Sequence, residues 1–305
     1  MSARLAILNT FLRRVGRPLL KRTKTPERAR RDFDLSARLV FRGPTKDASP
    51  TTLGDVPCLD VRPVEASGEA VLLYLHGGGY ITGSARTHLP MVGHLARQTG
   101  ARAVIPDYRL APEHRFPAAF DDAKAAWTAL MQMGVRPDDI LIGGDSAGGG
   151  LALALLSDVL RSGQRPAGLF AFSPWTDLTL TGASLAENAE RDAILPVERI
   201  EELRALLATD DELADPRLSP LFAEFPDAPP IYFQASESEI LRDDTLRMAE
   251  RLRASGARVE TDLWPDAPHV WQLFRGWLPE ADDALDRVAA FADRCLRSSS
   301  RRSEN

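Results

Sequence analysis

Residues 140–150 read ILIGGDSAGGG, and they carry the clearest indication of how this chain folds. An apolar run leads into a Gly-Asp-Ser-Ala-Gly turn, and a helical pattern continues over residues 147–160. A serine on a sharp strand-to-helix turn needs small neighbours, because the strained chain comes close to other backbone. Gly144 and Gly148 supply that room. The pattern therefore predicts a strand, an exposed nucleophile at Ser146 and a buried helix.

A glycine-rich turn before a helix is also typical of phosphate-binding loops. Here neither G-x-G-x-x-G with a following ribose-binding acid nor G-x-x-x-x-G-K-[ST] is present. The free N–H groups and the positive dipole end of the helix would instead stabilise an oxyanion beside Ser146. The sequence therefore favours a nucleophile over a nucleotide site.

Short apolar runs alternate with longer helical patterns around this turn, which is typical of βα units in a parallel sheet. The predicted strands span residues 71–75, 103–105, 140–142, 169–172, 231–234 and 258–264. The predicted helices span residues 117–133, 147–160, 197–207, 243–255 and about 280–296. The strand pattern stops between residues 177 and 221, which indicates an insertion at about 178–220 and not a separate domain. We expect one α/β domain over residues 46–297, with a central, mostly parallel sheet flanked by helices.

The two ends of the chain differ in composition from this domain. Residues 1–46 hold 13 Lys or Arg against 3 acids, although the whole chain has a net charge of −5. Apolar residues recur there at helical spacing, and Pro18 is expected to limit the helix. These residues are Leu5, Leu8, Phe11 or Leu12, Val15 and Leu19. At the other end, residues 298–305 have no apolar side chain to bury and are expected to form a disordered tail.

The basic amphipathic segment has two interpretations. It could be a surface that touches anionic lipid or gates an apolar substrate. Alternatively, it could be a helix that packs its apolar stripe on the body and leaves its arginines solvated. We favour packing, because most amphipathic helices simply cover a core.

A second glycine cluster lies upstream, where VLLYLHGGGY at residues 71–80 ends a predicted strand. Three consecutive glycines, 77–79, cost chain entropy and so need a packing or functional reason. They leave backbone N–H groups unshielded by side chains. Such groups could point at a carbonyl oxygen held over Ser146.

Five motifs together resemble the hormone-sensitive-lipase-like (family IV) esterases of the α/β-hydrolase fold, GDSAG type. They are HGGG at 76–79, DYRLAPE at 107–113, FPAAFDD at 116–122, GDSAG at 144–148 and SPWTDL at 173–178. The resemblance covers about residues 70–275. It implies a helical cap made of residues 1–45 and the 178–220 insertion, which covers the acyl pocket, and a homodimer formed through the strand at 258–264. It also implies that Gly78, Gly79 and Ala147 supply the oxyanion N–H groups, and that His76 shapes the glycine loop.

Histidine position identifies the candidate base. In α/β-hydrolases the chain order is serine, acid, histidine, and only His269 follows Ser146. It lies in DLWPDAPHVW at 262–271, a proline-rich loop after a predicted strand, from which an imidazole could reach the serine. The remaining histidines are interpreted as hydrogen-bonded structural residues; they are His76, His88, His94 and His114.

The acid has several candidates, most of them in QASESEILRDD at 234–244. The candidates are Glu237, Glu239, Asp243, Asp244 and Asp266. The family register points to Glu239, although an aspartate is commoner there. A glutamate is one methylene longer and can still accept the imidazole N–H if the loop adjusts. Asp243 looks like a helix N-cap, and Asp266 could support the histidine from nearby in sequence.

Composition argues against other classes of protein. Cys58 and Cys295 are far apart and form no C-x-x-C pair, which favours a reducing compartment, and no H-E-x-x-H zinc motif is present. No apolar run approaches the length of a bilayer span, and the N-terminal segment lacks a signal-type stretch. We expect a cytoplasmic protein with no cofactor, no metal, no nucleic-acid partner and no stable membrane insertion.

The predicted function is a serine carboxylesterase that hydrolyses short to medium acyl esters through an acyl-enzyme intermediate. Ser146, Glu239 and His269 would form the catalytic triad. Two alternatives stay open. The same triad could serve a lactone hydrolase or a deacetylase, and the fold could also serve a non-catalytic ligand receptor.

Overall fold

One eight-stranded sheet forms the centre of the molecule. A computed structural model describes residues 2–64, 66 and 68–303. The strands are β1 (Ala48–Leu53), β2 (Val56–Val61), β3 (Val71–Leu75), β4 (Arg102–Pro106), β5 (Ile140–Asp145), β6 (Gly168–Phe172), β7 (Ile231–Ser236) and β8 (Val259–Trp264). Their order in the sheet is β1-β2-β4-β3-β5-β6-β7-β8. The β1–β2 and β2–β4 pairings are antiparallel, and the five pairings that join β4, β3, β5, β6, β7 and β8 are parallel. The predicted mostly parallel sheet is therefore confirmed.

The register of the sheet brings the loops of the candidate site together. Leu75 pairs with Gly144, Asp145 pairs with Phe172, and Phe172 pairs with Gln234. The carboxyl ends of β3, β5, β6 and β7 therefore lie side by side. Loops that leave parallel strands at one edge converge there, which is where open α/β sheets bind their ligands.

Helices cover both faces of the sheet. The helices are α1 (Ala3–Phe11), α2 (Arg17–Arg22), α3 (Pro26–Val40), α4 (Ala85–Thr99), α5 (Ala118–Gln132), α6 (Ser146–Arg161), α7 (Ser184–Glu187), α8 (Val197–Leu207), α9 (Arg242–Ala254) and α10 (Pro279–Ser303). One apolar core includes side chains of α5, α6 and α9, and a second includes side chains of α4 and α10. Each sheet face is thus buried under its own helical layer. Within the described residues, no helix combines the length and apolar character needed to cross a bilayer.

The 178–220 insertion contains α7, α8 and short 3-10 turns, and no strand lies in it. Several of its apolar side chains, including Leu185, Ile200 and Leu207, join the core on the α6 side of the sheet. The insertion therefore shares the hydrophobic core of the main body. It packs beside the carboxyl end of the sheet, where Asn188 contacts the loop after β7.

The N-terminal stripe divides between two sides of its helix. Leu5, Leu8 and Leu12 are buried in a small core with side chains that include Trp271 and Leu278. The other residues of the stripe, Phe11, Val15 and Leu19, stay exposed. One side of the segment therefore packs on the body, as the favoured interpretation expects, and the other side carries uncovered apolar groups.

Pro18 does not end the helical path. A π-helical turn, Leu12–Gly16, joins α1 to α2, and Pro18 stands in the first turn of α2. Proline is tolerated in the first turn of an α-helix, because its fixed φ angle matches the helical value. The expectation that Pro18 would limit the helix is therefore wrong.

Four further features differ from the predictions. The β1–β2 hairpin, α3 and α4 have no counterpart among the predicted elements. The last helix continues to Ser303, so the backbone of residues 298–303 is helical where composition predicts a disordered tail. Residues 304 and 305 lie outside the described residues. The extension is consistent with helix propagation, which adds one hydrogen bond per residue once a packed helix exists.

Candidate active site

Ser146 lies at the sharp turn between β5 and α6. Its φ angle is +53°, a region that non-glycine residues rarely occupy, which marks a strained strand-to-helix corner. A Cβ on Gly144 would lie 2.4 Å from the Gly148 carbonyl oxygen, and one on Gly148 would lie 2.2 Å from the Leu75 carbonyl oxygen. Both neighbours must therefore be glycine for this turn to close.

The imidazole of His269 lies between the serine and a carboxylate. Its Nε2 is 2.9 Å from Ser146 Oγ, and its Nδ1 is 2.7 Å from Glu239 Oε2. Because Nδ1–H donates to the carboxylate, Nε2 is left as an acceptor for the serine hydroxyl. The structure thus brings together the three side chains that the sequence nominates, from loops after β5, β7 and β8.

Glu239 is held by more than the imidazole. Its second oxygen, Oε1, accepts the Ser173 hydroxyl at 2.9 Å and the Ser236 backbone N–H at 2.7 Å. The residue is 1% exposed. These donors satisfy the oxygen that does not face His269, so the buried carboxylate has a fixed orientation despite its extra methylene.

The glycine loop after β3 presents free backbone amides. Within residues 2–64, 66 and 68–303, the N–H groups of Gly78, Gly79 and Ala147 have no hydrogen-bond acceptor. Gly78 and Gly79 have φ angles of +123° and +62°, which side-chain-bearing residues rarely adopt. Ala147 stands in the first turn of α6, where N–H groups have no intrahelical acceptor. Unpaired amides from these two segments suit a substrate oxyanion.

Several known proteins are similar to this chain in amino-acid sequence. A family model described as alpha/beta hydrolase fold matches residues 72–273. An esterase of Acinetobacter venetianus is 36% identical over 269 residues, 88% of each chain. An acetyl-hydrolase of Streptomyces hygroscopicus is 35% identical over 243 residues, which cover 79% of this chain and 80% of the relative.

A solved structure agrees over nearly the whole chain. It is the crystal structure of an esterase from the bacterial hormone-sensitive lipase family, with a TM-score of 0.90 at 35% identity. The match covers 97% of this chain and 99% of that one. The chain belongs to the hormone-sensitive-lipase-like esterases of the α/β-hydrolase fold. It is thus a carboxylic ester hydrolase, and the family prediction made from its motifs is confirmed.

The other acid candidates of this esterase lie away from the imidazole. Asp243 accepts the Ser184 backbone N–H, and it stands in the first turn of α9 instead of at the N-cap, which is Leu241. The N-cap interpretation is therefore wrong. Asp266 faces the N-terminal segment, where it accepts from Asn9 and Arg13.

Asp244 of this esterase is buried, and it lies on the side of α9 that faces the loop after β6. Its carboxylate accepts the backbone N–H groups of Thr176 and Asp177 at 2.7 and 2.8 Å. Burial raises the pKa of Asp244 to about 7, although these two N–H groups act against the shift. Its role is to join α9 to the SPWTDL loop.

Charge and burial act in opposite directions on the His269 imidazole. Burial by itself lowers the pKa of His269, since it disfavours the charged form. The hydrogen bond and negative charge of Glu239, with the charges of Asp192 and Asp145, outweigh burial and raise the pKa above its ordinary value. The site therefore favours the imidazolium that forms when the serine gives up its proton.

Asp145 links the serine turn to the glycine loop. Its Oδ1 accepts the Tyr74 hydroxyl at 2.8 Å and the Gly77 backbone N–H at 2.9 Å, and His88 Nε2 lies 3.4 Å away. Burial would raise the pKa of Asp145, but its buried partners outweigh burial and lower it. This ionised carboxylate therefore keeps the glycine loop in register with the Ser146 turn.

His76 has a structural place in the same loop. Its Nδ1 lies 2.9 Å from the Gly77 carbonyl oxygen, and its ring stacks on Tyr108 at a centroid distance of 4.2 Å. Burial lowers the pKa of His76 to about 3, so its imidazole is neutral at working pH. These contacts agree with the interpretation of His76 as a residue that shapes the glycine loop.

The insertion reaches the acid loop through two buried polar side chains. Asn188 Nδ2 donates to the carbonyl oxygens of Glu237 and Glu239, at 3.0 and 2.8 Å. Asp192 Oδ2 accepts the Ile240 N–H at 2.9 Å. The insertion thus holds the backbone on both sides of the candidate acid.

A cap side chain also covers the glycine loop. A Cβ on Gly79 would lie 2.9 Å from Leu203 Cδ1 of α8, so Leu203 occupies the space directly beside that glycine. No sequence pattern predicts the roles of Leu203, Asn188, Asp192 or Ser173 in the site. Buried polar residues such as Asn188 and Asp192 in an insertion are a weak signal, because their partners are about 50 residues away in the chain.

Proposed function

We propose that this esterase is a serine carboxylesterase that hydrolyses short to medium acyl esters through an acyl-enzyme intermediate. Ser146 would be the nucleophile, His269 the general base and Glu239 the acid. Gly78, Gly79 and Ala147 would bind the oxyanion. One observation carries the proposal: His269 contacts Ser146 Oγ at 2.9 Å with one ring nitrogen and Glu239 at 2.7 Å with the other.

In acylation, Ser146 Oγ forms a bond to the ester carbonyl carbon as its proton passes to His269 Nε2. The carbonyl oxygen becomes an oxyanion and accepts the free backbone N–H groups, while Glu239 stabilises the imidazolium. The tetrahedral intermediate then breaks its bond to the alcohol oxygen, which takes the proton from Nε2. The alcohol leaves, and the acyl group stays on Ser146.

In deacylation, water takes the place of the departed alcohol. His269 Nε2 accepts a proton from the water as the water oxygen bonds to the acyl carbon. A second tetrahedral intermediate collapses, the bond to Ser146 Oγ breaks, and Nε2 returns the proton to that oxygen. The products are a carboxylic acid and the free enzyme.

The preference for short to medium acyl groups is supported by the cap. Residues 1–45 and the 178–220 insertion would cover the acyl pocket, and Leu203 of the insertion takes up space beside Gly79. The Streptomyces relative is named an acetyl-hydrolase, which is consistent with a small acyl group. Lactones and acetylated amines present the same carbonyl chemistry and are therefore rival substrates.

The test is a panel of p-nitrophenyl acyl esters of increasing chain length, run beside lactones and acetylated amines. Wild type and Ser146→Ala are compared on every substrate. We expect the highest kcat/KM on short to medium esters, a burst of p-nitrophenol equal to the enzyme concentration, and no turnover by Ser146→Ala. Turnover that persists in Ser146→Ala would refute the covalent step, and a strong preference for lactones would refute the substrate class.

We also propose that the esterase forms a homodimer through β8, in a reducing, cytoplasmic compartment. In the sheet order β8 stands at the end, so one edge of the strand is available for pairing with a second copy. Cys58 and Cys295 are free and buried, as expected for a protein that forms no disulfide. Sedimentation of the purified chain as a monomer would contradict the dimer.

A further inference from the structure

Exposed apolar side chains are concentrated at the N-terminal end of the chain. The described residues include ten exposed large hydrophobic side chains, and seven of these lie between residues 7 and 40. Four of the seven follow one another at intervals of four residues, from α1 through the π-helical turn into α2. We call these four the exposed row: Ile7 (62% exposed), Phe11 (55%), Val15 (49%) and Leu19 (46%).

Helical geometry places the exposed row along one side of the segment. Residues four apart are neighbours on a helix surface, and twelve residues at about 1.5 Å each give a row roughly 18 Å long. Leu5, Leu8 and Leu12 use the other side to pack on the body. The segment therefore has two apolar sides, and only one of them is covered.

Cations on this segment fall into two groups. Arg13, Arg17 and Lys21 attach it to the body through ion pairs with acidic side chains. Arg14 and Arg22 are exposed, and neither has a salt-bridge or hydrogen-bond partner among the described residues. Each stands three residues after a member of the exposed row, so a free guanidinium flanks the apolar groups on the same side of the helix.

The next helix repeats the pattern independently. In α3, Leu35 and Leu39 are 58% and 72% exposed. Arg31 and Arg38 lie four residues before and three residues after Leu35, and both are exposed. Neither arginine has an ion-pair partner in the part of the chain that the structure describes. Apolar groups flanked by free arginines thus occur on two helices of one basic segment.

We propose that the exposed row is a docking surface for an anionic lipid bilayer. Its four apolar side chains would enter the boundary between headgroups and acyl chains, and Arg14 and Arg22 would bind lipid phosphates. A cationic helix surface with Phe and Leu beside Arg is typical of helices that lie in the bilayer interface. The long arginine stems allow the charge to reach the headgroups while the row stays buried in lipid.

Charge distribution argues for lipid over a second copy of the chain. Residues 1–46 carry 13 Lys or Arg against 3 acids, and the remainder carries 25 against 40. An anionic membrane would attract the segment and repel the rest, which fixes one orientation. A two-fold contact through the exposed row would instead set the arginines of one copy against those of the other.

Docking would also orient the active site. Asn9 and Arg13 contact Asp266, three residues before His269. Lys21 of α2 pairs with Glu198 of α8, the helix whose Leu203 covers Gly79. The cap side of the molecule would therefore face the bilayer, where apolar esters partition. Lipid binding itself does not depend on the proposed catalytic residues.

The test is co-sedimentation of the full chain with vesicles of equimolar phosphatidylcholine and phosphatidylglycerol, beside pure phosphatidylcholine vesicles. We expect binding to the anionic vesicles alone, weakened by added salt. Arg14→Gln with Arg22→Gln should weaken partitioning by roughly 30-fold, at about fivefold per charge. Phe11→Ser with Val15→Ser should weaken it by at least roughly tenfold.

Matched controls lie outside the segment. Met133 is 57% exposed, and Arg258 is an exposed cation with no ion-pair partner among the described residues, so Met133→Ser with Arg258→Gln removes comparable groups elsewhere. This double variant should bind vesicles like wild type, and melting temperatures should show that each variant is folded. If the Phe11→Ser, Val15→Ser variant does not fold, the Arg14→Gln, Arg22→Gln variant still tests the proposal, because both arginines are exposed.

Three results would overturn the proposal. The first is equal binding to both kinds of vesicle, or binding to neither. The second is unchanged partitioning in the arginine double variant. The third is sedimentation velocity in which the exposed-row variant converts a dimer to a monomer, since the row would then be a contact between two copies.

Discussion

Glu239 is held in place by hydrogen bonds to both of its carboxylate oxygens. Its two carboxylate oxygens face different partners, His269 on one side and the pair Ser173 and Ser236 on the other. A side chain held by these partners is oriented before substrate arrives, so little reorganisation is needed during reaction. The residue acts through the imidazole, and its removal should therefore be visible in the pH dependence of catalysis.

The first prediction concerns that pH dependence. A general base works as neutral imidazole, so kcat/KM falls as pH drops below the raised pKa of His269. Glu239→Gln removes the negative charge that raises this pKa. The acidic limb of the kcat/KM profile should therefore move to lower pH, while kcat falls by about 10²- to 10⁴-fold.

Asp243→Asn is the matched control for this prediction, because Asp243 is a neighbouring acid that contacts Ser184 and not His269. Its profile should keep the wild-type acidic limb, with a far smaller loss of kcat. Stopped-flow and steady-state hydrolysis of one p-nitrophenyl ester across pH measure both effects. A larger loss of kcat in Asp243→Asn than in Glu239→Gln would contradict the assignment of Glu239 as the acid.

At the scale of elements, the insertion and the acid loop form one unit. Asp192 caps the N–H groups of Ile194 and Leu195 with one oxygen and holds Ile240 with the other. Burial raises the pKa of Asp192, although these N–H groups and His269 oppose the shift. The insertion is therefore attached to the loop that carries Glu239 by a buried carboxylate and not only by apolar packing.

The second prediction tests this attachment. Asp192→Asn replaces one acceptor oxygen by an amide donor, which leaves a buried N–H unpaired and should lower the free energy of unfolding by about 1–3 kcal/mol. It also removes a negative charge that raises the pKa of His269. The acidic limb of kcat/KM should thus move to lower pH along with a loss of kcat.

Asp210→Asn serves as the control, since Asp210 is an exposed acid of the same insertion. It should leave the melting temperature and the pH profile unchanged. If Asp192→Asn lowers stability without moving the pH profile, Asp192 has only a structural role.

At the scale of the whole molecule, the N-terminal segment is part of the folded body. Leu5, Leu8 and Leu12 bury their side chains with Trp271 and Leu278, which come from the opposite end of the chain. These contacts join residues more than 250 positions apart in the chain, so the N-terminal segment and the C-terminal region belong to one folded unit. The same segment carries the exposed row on its other side.

The third prediction separates these two sides with neighbouring residues. Leu8 is 6% exposed and Ile7 is 62% exposed. Leu8→Ala should lower the free energy of unfolding by about 2–4 kcal/mol through the cavity it leaves. Ile7→Ala should change it by less than about 0.5 kcal/mol, as is usual for surface positions. Thermal or urea unfolding of the two variants measures the difference, and equal losses would contradict the division of the segment.

Local sequence patterns predict the parallel sheet, the turn at Ser146 and the position of His269 after that serine. The patterns are apolar runs, glycines beside a serine, and the order of residues along the chain. The family resemblance also rests on short motifs that need no distant partner. Such signals are readable because each depends on a few consecutive residues.

Other conclusions depend on the tertiary structure. The segment after β7, which runs into the first turn of α9, offers several carboxylates within eight residues. Only the folded chain decides that Glu239 contacts His269 while Asp243 contacts Ser184. The helical period at the N-terminus predicts an apolar stripe, but the position of the body decides that Leu8 is covered and Phe11 is not. The physical reason is the same in both cases. Burial and hydrogen bonding between segments distant in sequence depend on where the sheet and its helices come to lie, which local propensity does not encode.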